Sequence, residues 1–362
     1  MFKSQILSEF VTKFQDPLSK LKEIEKKLNA RFFDLKRPIR ALILSVASGE
    51  PLLLIGPPGT GKSRLIRAFC GLIGLLNEND LSQAHPGYFE YLLTPFTEPS
   101  ELFGFFDIKE LMKKDGSLRR IEDGMMRQAK VIYLDDVFNG SSAILNSILT
   151  FLNERILHDR GERKKVAMQC LFAATNHIPE SPELRAIFDR FVLRCAVDNI
   201  EAELVQVKQL LHKGWLETYK EHKPLDNPAQ SSDKRCESGT EHSSLLDDME
   251  RLRGKIVERT TEESLVPQHD GTFCRCLVQQ VQTARQYGLS EMSNRRLVKM
   301  MHIMLIHRIY EAVCKGEVEK KGSNSNISLG PEELKLLTRY FIDHADDEIV
   351  TKMERAVDCC WR

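Results

Sequence analysis

The sequence predicts an α/β fold, a parallel sheet flanked by helices and followed by an all-helical C-terminal portion, and three observations carry that prediction. Apolar runs at Pro51–Ile55, Lys130–Leu134 and Met168–Ala174 are continuous rather than alternating, the pattern of strands buried on both faces of a parallel sheet. Helical periodicity over 62–76 and 141–154 falls between these runs, which gives a βαβ alternation. Farther on, apolar positions recur at helical spacing over 245–263, 273–287, 293–315 and 331–357.

Taken in order, Ile6, Phe10, Phe14, Leu18, Leu21, Ile24 and Leu28 define two helices interrupted at Pro17. A helix over 38–48 leads into the first strand. Turn signals at Asp115-Gly116 and Asp123-Gly124 mark the charged segment 110–130 as a surface excursion, and Arg160-Gly161 centres a hairpin in 155–166. Phe103, Phe105 and Phe106, clustered around Gly104, are expected to pack this insertion. The helix expected over 182–188 precedes Asp189-Arg190-Phe191. Residues 222–244 turn to Pro, Asn, Ser, Asp, Lys and Gly and read as a flexible loop.

The 362 residues carry 52 Lys plus Arg and 52 Asp plus Glu, a formal net charge of zero, so no global basic field argues for nucleic acid or an anionic membrane. The basic residues of 109–120 and 155–165 are interleaved with Asp115, Glu122, Asp123, Asp159 and Glu162, which suits a solvated hairpin face better than a DNA track. No apolar run approaches the roughly 20 residues of a membrane-spanning helix, and the N-terminus lacks the apolar centre of a signal peptide. The expectation is a soluble, cytoplasmic protein. Nine scattered cysteines, without CxxC spacing, read as reduced thiols rather than a zinc site.

The chemistry concentrates at Gly56–Ser63, GPPGTGKS, which follows an apolar strand and opens a helix. Glycines let backbone N–H groups wrap phosphate, and the helix N-terminus adds its dipole. Lys62 would reach the β and γ phosphates and Ser63 would coordinate Mg2+. The strand 131–136, VIYLDD, ends about seventy positions later in two carboxylates, Asp135 for the metal and Asp136 to polarise the attacking water. Asn176 ends the third strand at the carboxyl edge, where it would position that water or cap the strand. Arg190 is either a charge offered to a neighbouring subunit's γ-phosphate or an ordinary surface arginine.

In this order the motifs resemble an AAA+ ATPase, and in detail the MoxR family, particularly its RavA-like branch. The likeness rests on GPPGTGKS (56–63), TEPSELFGFFDIKEL (97–111), YLDDVFNGSSAILNSILTFLNER (133–155), AATNHIPE (173–180), ELRAIFDRFVLR (183–194) and SNRRLVK (293–299), and is strong over about 20–200. It implies that Gly56, Pro57, Pro58, Gly59, Thr60, Gly61, Lys62, Ser63 and Arg64 bind ATP or ADP, with Ser63 and Asp135 on Mg2+. Asn176 becomes sensor 1, Arg190 the arginine finger and Arg295 sensor 2, with Arg194 and Arg296 as neighbouring alternatives.

The same resemblance implies N-terminal helices over 1–36, an α/β core over 37–199 and a helical lid over 200–362. Within the core lie a helix-2 insert near 97–130 and a pre-sensor-1 hairpin near 155–168. Further implications are a homo-oligomeric ring, a hexamer, with sites shared between subunits, a von Willebrand A domain partner and a remodelling chaperone's action on a protein client. One departure stands out: the family has Asp-Glu where this chain has Asp135-Asp136. A carboxylate one methylene shorter would misplace the water and slow hydrolysis, which leaves a nucleotide-gated assembly scaffold as the second reading. A nucleic-acid-dependent motor is the third.

Overall fold

The computed structural model describes residues 4–78, 85–112, 120–159, 162–200, 203–221, 239–262, 271–317, 328–342 and 347–361. In chain order the elements are α1 (Ser4–Lys13), α2 (Gln15–Arg31), α3 (Lys36–Ser48), β1 (Leu52–Ile55), α4 (Lys62–Leu72), β2 (Tyr88–Leu92), α5 (Pro99–Phe103), α6 (Ile108–Leu111), β3 (Val131–Asp135), α7 (Ser142–Glu154), β4 (Ile156–Asp159), β5 (Glu162–Lys165), β6 (Cys170–Thr175), α8 (Pro182–Phe188) and β7 (Leu193–Ala196). The remainder is helical: α9 (Leu204–Glu221), α10 (Gly239–Glu262), α11 (Thr272–Gln286), α12 (Asn294–Lys315), α13 (Pro331–Tyr340) and α14 (Asp347–Cys360).

Five strands form one parallel sheet in the order β2-β3-β6-β1-β7. Alternate side chains leave opposite faces of a strand, and here both faces are covered. Leu52, Leu54, Tyr133, Phe172 and Ala174 join the core beneath α3 and α4, whereas Leu53, Ile132, Leu134, Leu171 and Ala173 join the core that holds Phe103, Ile148 and Phe151. That double burial is why the strands read as unbroken apolar runs. The first core continues without a break into Leu7, Leu18 and Leu28 on one side and Met249, Ile303 and Tyr310 on the other, so the helices before and after the sheet pack together.

The C-terminal helices close over the amino ends of the strands. Lys130, just before β3, pairs with Asp247 of α10 at 2.9 Å, and Gln169, just before β6, donates to Asp247 and Glu250. Glu50, just before β1, meets Lys299 of α12 at 2.7 Å, and Asp189, just before β7, accepts from Ser293 at 3.0 Å.

Several expectations are corrected. The N-terminal helices part at Phe14 rather than Pro17, which sits in the first turn of α2, where a missing N–H costs nothing. The helix expected over 331–357 is two, α13 and α14, and α10 begins at Gly239, inside the loop expected over 222–244; residues 222–238 lie outside the described ones. Of the insertion's aromatics Phe103 packs against Phe151 and Phe106 carries the Arg120 guanidinium 4.3 Å above its ring, whereas Phe105 is 56% exposed. Insertion residues 113–119, with the Asp115-Gly116 turn, are also outside the described ones. The hairpin expected in 155–166 is present, its described residues forming the antiparallel pair β4–β5, while Arg155, exposed just before β4, donates to the carbonyls of Met168 and Gly49.

Candidate nucleotide site

A parallel sheet gathers the carboxyl ends of its strands along one edge, and neighbours lie about 4.8 Å apart. Because β3, β6 and β1 are adjacent, their carboxyl ends meet: Asp135, the last residue of β3, with Asp136 after it, Asn176 after β6 and the Gly56–Ser63 loop after β1. Their order along the chain says nothing of this; the strand order creates it.

The loop needs its glycines. A Cβ on Gly56 would stand 2.0 Å from the Val197 carbonyl oxygen, where β7 closes on β1, and Gly61 holds φ +85° at the N-terminus of α4. The ammonium of Lys62 is buried inside the loop it follows, donating to the carbonyls of Gly56 at 2.6 Å and Pro57 at 2.8 Å, with the Asn176 Oδ1 at 3.5 Å. Burial lowers its pKa from the ordinary lysine value, and the carboxylates of Asp135 and Asp136 oppose that shift.

Ser63 donates to Asp135 Oδ2 at 3.0 Å and receives the Tyr133 hydroxyl at 3.0 Å. Asp136 occupies the left-handed region, φ 48° and ψ 48°, which aspartate tolerates better than most residues. Its amide donates to Asp135 Oδ1 at 3.0 Å, and its Oδ1 accepts from Asn176 Nδ2 at 3.2 Å. Lys62, Ser63, Asp135, Asp136 and Asn176 therefore form one hydrogen-bonded cluster.

These groups fit the chemistry of a nucleotide and a hard divalent cation. Oxygen donors from Ser63 and Asp135 lie side by side, as a small hard cation requires, and a buried ammonium within a glycine loop suits a phosphate chain. Beside the loop lies a cavity of about 190 Å³ lined by Phe32–Leu35, Gly59–Gly61, Arg64, Asp198–Ile200 and Lys213. Lys213 donates to the Phe32 carbonyl at 3.2 Å and so braces α9 against the entry to α3. Apart from the loop residues and Arg64, no motif pointed to this cavity, since its walls come from segments without a signature. Tyr133 was likewise missed, read only as one apolar residue of a strand.

The predicted arginines lie elsewhere. Arg190 and Arg295 sit at the amino edge of the sheet, Arg190 three positions before β7 and Arg295 one turn before Lys299, which holds Glu50. Six residues of extended chain, about 20 Å, separate Glu50 from Gly56, so both arginines stand at the opposite edge of the sheet from the cluster. Their alternatives point inward. Arg194 is buried, donating to the Phe188 and Phe191 carbonyls with its guanidinium 3.7 Å over the Phe188 ring. Arg296 is 1% exposed and donates to Ser290 and to the Phe341 carbonyl; burial draws its pKa down to about 10. Among the described residues no cluster of three or more His, Cys, Asp and Glu forms an all-protein metal site, the cysteines are free thiols, and no helix is long and apolar enough to cross a membrane.

Comparison with known proteins bears on the family and the fold. The chain is 37% identical over 185 residues to the uncharacterised protein MJ0079 of Methanocaldococcus jannaschii, 51% of this chain and 46% of that protein, and 37% identical over 182 residues to MJ0812 of the same organism. It is 30% identical over 191 residues to the structural protein ORF618 of Acidianus two-tailed virus, 29% of that protein. The chain thus spans less than half the length of these relatives. A solved structure from Cytophaga hutchinsonii, described as a "putative ATPase", superposes with a TM-score of 0.58 over 99% of both chains at 13% identity, which speaks to the fold alone. Residues 19–234 match the family model described as the MoxR domain in the MoxR-vWA-beta-propeller ternary systems. With more than half of its length on that model, the chain belongs to the MoxR family of AAA+ ATPases.

Proposed function

We propose that the protein hydrolyses ATP in a ring of identical subunits, each nucleotide site being completed by the neighbour, and that it remodels a protein client. One observation carries the shared site: the phosphate loop and carboxylates lie at the carboxyl edge of the sheet, whereas Arg190 and Arg295 lie at the amino edge. In this reading Arg190 and Arg295 act on the phosphates bound by a neighbouring copy, whereas Arg64, beside the loop, serves the nucleotide of its own chain. The buried Nε of Arg190 has no hydrogen-bond partner among the described residues, which suits a guanidinium held for a group outside the chain.

In this reading Lys62 binds the β and γ phosphates, Ser63 and Asp135 hold Mg2+, and the cavity beside the loop takes the base. A divalent cation held by Ser63 and Asp135 would supply positive charge against the negative charge of the phosphates. Asp136 and Asn176, joined at 3.2 Å, orient the attacking water, and the neighbour's Arg190 and Arg295 stabilise the transferring phosphoryl group. The division into N-terminal helices (1–36), core (37–199) and lid (200–362) belongs to the same proposal. So does a von Willebrand A domain partner, drawn from the description of the matching family. Phosphate release with and without a non-hydrolysable analogue, followed beside light scattering, tests the reading: ring formation without turnover would favour the scaffold.

Asp136 favours that second reading in degree. Its short carboxylate is tied to Asn176 and to a left-handed backbone, so it reaches less far toward the phosphates than a glutamate would. Asp136→Glu is expected to raise hydrolysis by up to about a hundredfold, the cost of roughly an ångström of misplacement. A phosphate-release assay checks this, and an unchanged or lower rate removes the argument from reach.

A further inference from the structure

Within the cluster just described, the Ser63 hydroxyl is held by Tyr133, a residue of the VIYLDD strand to which the sequence reading gave no polar role. Tyr133 and Asp135 are two positions apart on β3, so both project from the face that packs against α4, whose second residue is Ser63. Tyr133 is fully buried, and its hydroxyl donates to Ser63 Oγ at 3.0 Å while Ser63 donates to Asp135 Oδ2 at 3.0 Å. A serine hydroxyl owns one proton and two lone pairs. Asp135 takes the proton and Tyr133 occupies one lone pair, so the rotor is fixed and one lone pair remains.

Two carboxylates lie near the phenol: Asp135, which also hydrogen-bonds Tyr133 and already accepts from Ser63, and Glu90, which is engaged elsewhere. Glu90, the register partner of Tyr133 on β2, is held by Arg67 at 2.6 Å and by the Tyr88 hydroxyl at 2.7 Å. Arg67 stands one turn after Ser63 on α4, so the ion pair also anchors the helix that carries the serine.

We propose that Tyr133 is a positioning residue for the divalent cation: it sets the Ser63 hydroxyl so that its remaining lone pair faces the metal position beside Asp135. The inference rests on the reading of Ser63 and Asp135 as cation ligands. Tyr133→Phe keeps the ring in its packed place and removes only the hydroxyl. Binding of a fluorescent ADP analogue is measured in Mg2+ and in EDTA, and bound Mn2+ is followed by paramagnetic resonance.

Loss of one hydrogen bond is expected to weaken the Mg2+-dependent part of nucleotide affinity, and Mn2+ retention, on the order of fivefold. Affinity in EDTA stays within about twofold, which also reports a folded variant. In a Ser63→Ala background, Tyr133→Phe should add nothing, because the hydroxyl through which it acts is gone. A wild-type affinity indifferent to Mg2+ overturns the cation reading and this proposal with it. A wild-type response that Tyr133→Phe retains, or an equal loss in EDTA or in the Ser63→Ala background, overturns the proposal alone.

Discussion

Arg190→Ala is expected to slow ATP hydrolysis on the order of a thousandfold while leaving ADP affinity within about twofold, the separation expected of an arginine that acts on the transition state from another subunit. The geometry behind this is the distance between edges. Asp189 is tied to Ser293 at the amino edge, and the loop that would bind the phosphates stands at the carboxyl edge of the same sheet. Steady-state phosphate release and nucleotide titration together check it. Arg194→Ala provides the contrast: its guanidinium is buried against Phe188, so its loss is expected to lower the melting temperature by several degrees rather than strike turnover selectively. Equal losses of affinity and rate in Arg190→Ala would contradict the assignment.

Lys62→Ala is expected to lower hydrolysis by about 10²–10³-fold, because a charge aimed at the transferring phosphoryl group is removed from a site where water cannot replace it. Here ADP affinity falls as well, since the same ammonium serves the ground state, and nucleotide titration separates this variant from Arg190→Ala. Burial disfavours the charged form of Lys62, with Asp135 and Asp136 opposing. Rising pH therefore removes its proton below the ordinary lysine range. In a pH profile, kcat/KM for ATP, which reports the free enzyme, should decline on the alkaline side before an unperturbed lysine would titrate.

Much of this site was legible because its signals are local. GPPGTGKS between an apolar strand and a helix states its own geometry, and the two aspartates close an unbroken run of apolar residues. Other parts depend on contacts between distant segments. β2 escaped notice because YFEYL mixes aromatic and charged residues on an edge, and β7 because four residues containing a buried arginine resemble no strand. The placement of Arg295 follows from Lys299 reaching Glu50, 249 positions away, a pairing that no periodicity encodes. Tyr133 reads as an ordinary strand residue until α4 is laid against β3 and its hydroxyl finds Ser63.

The two variants together test most directly whether the site is shared between subunits. Lys62→Ala keeps Arg190 but lacks a competent loop, and Arg190→Ala keeps the loop but lacks the arginine, so each alone should be nearly silent. Mixed before assembly in equal amounts, they should recover about one quarter of wild-type hydrolysis, the share of random interfaces that pair an intact loop with an intact arginine. A mixture that co-assembles yet stays as silent as its components would contradict a site built by two subunits.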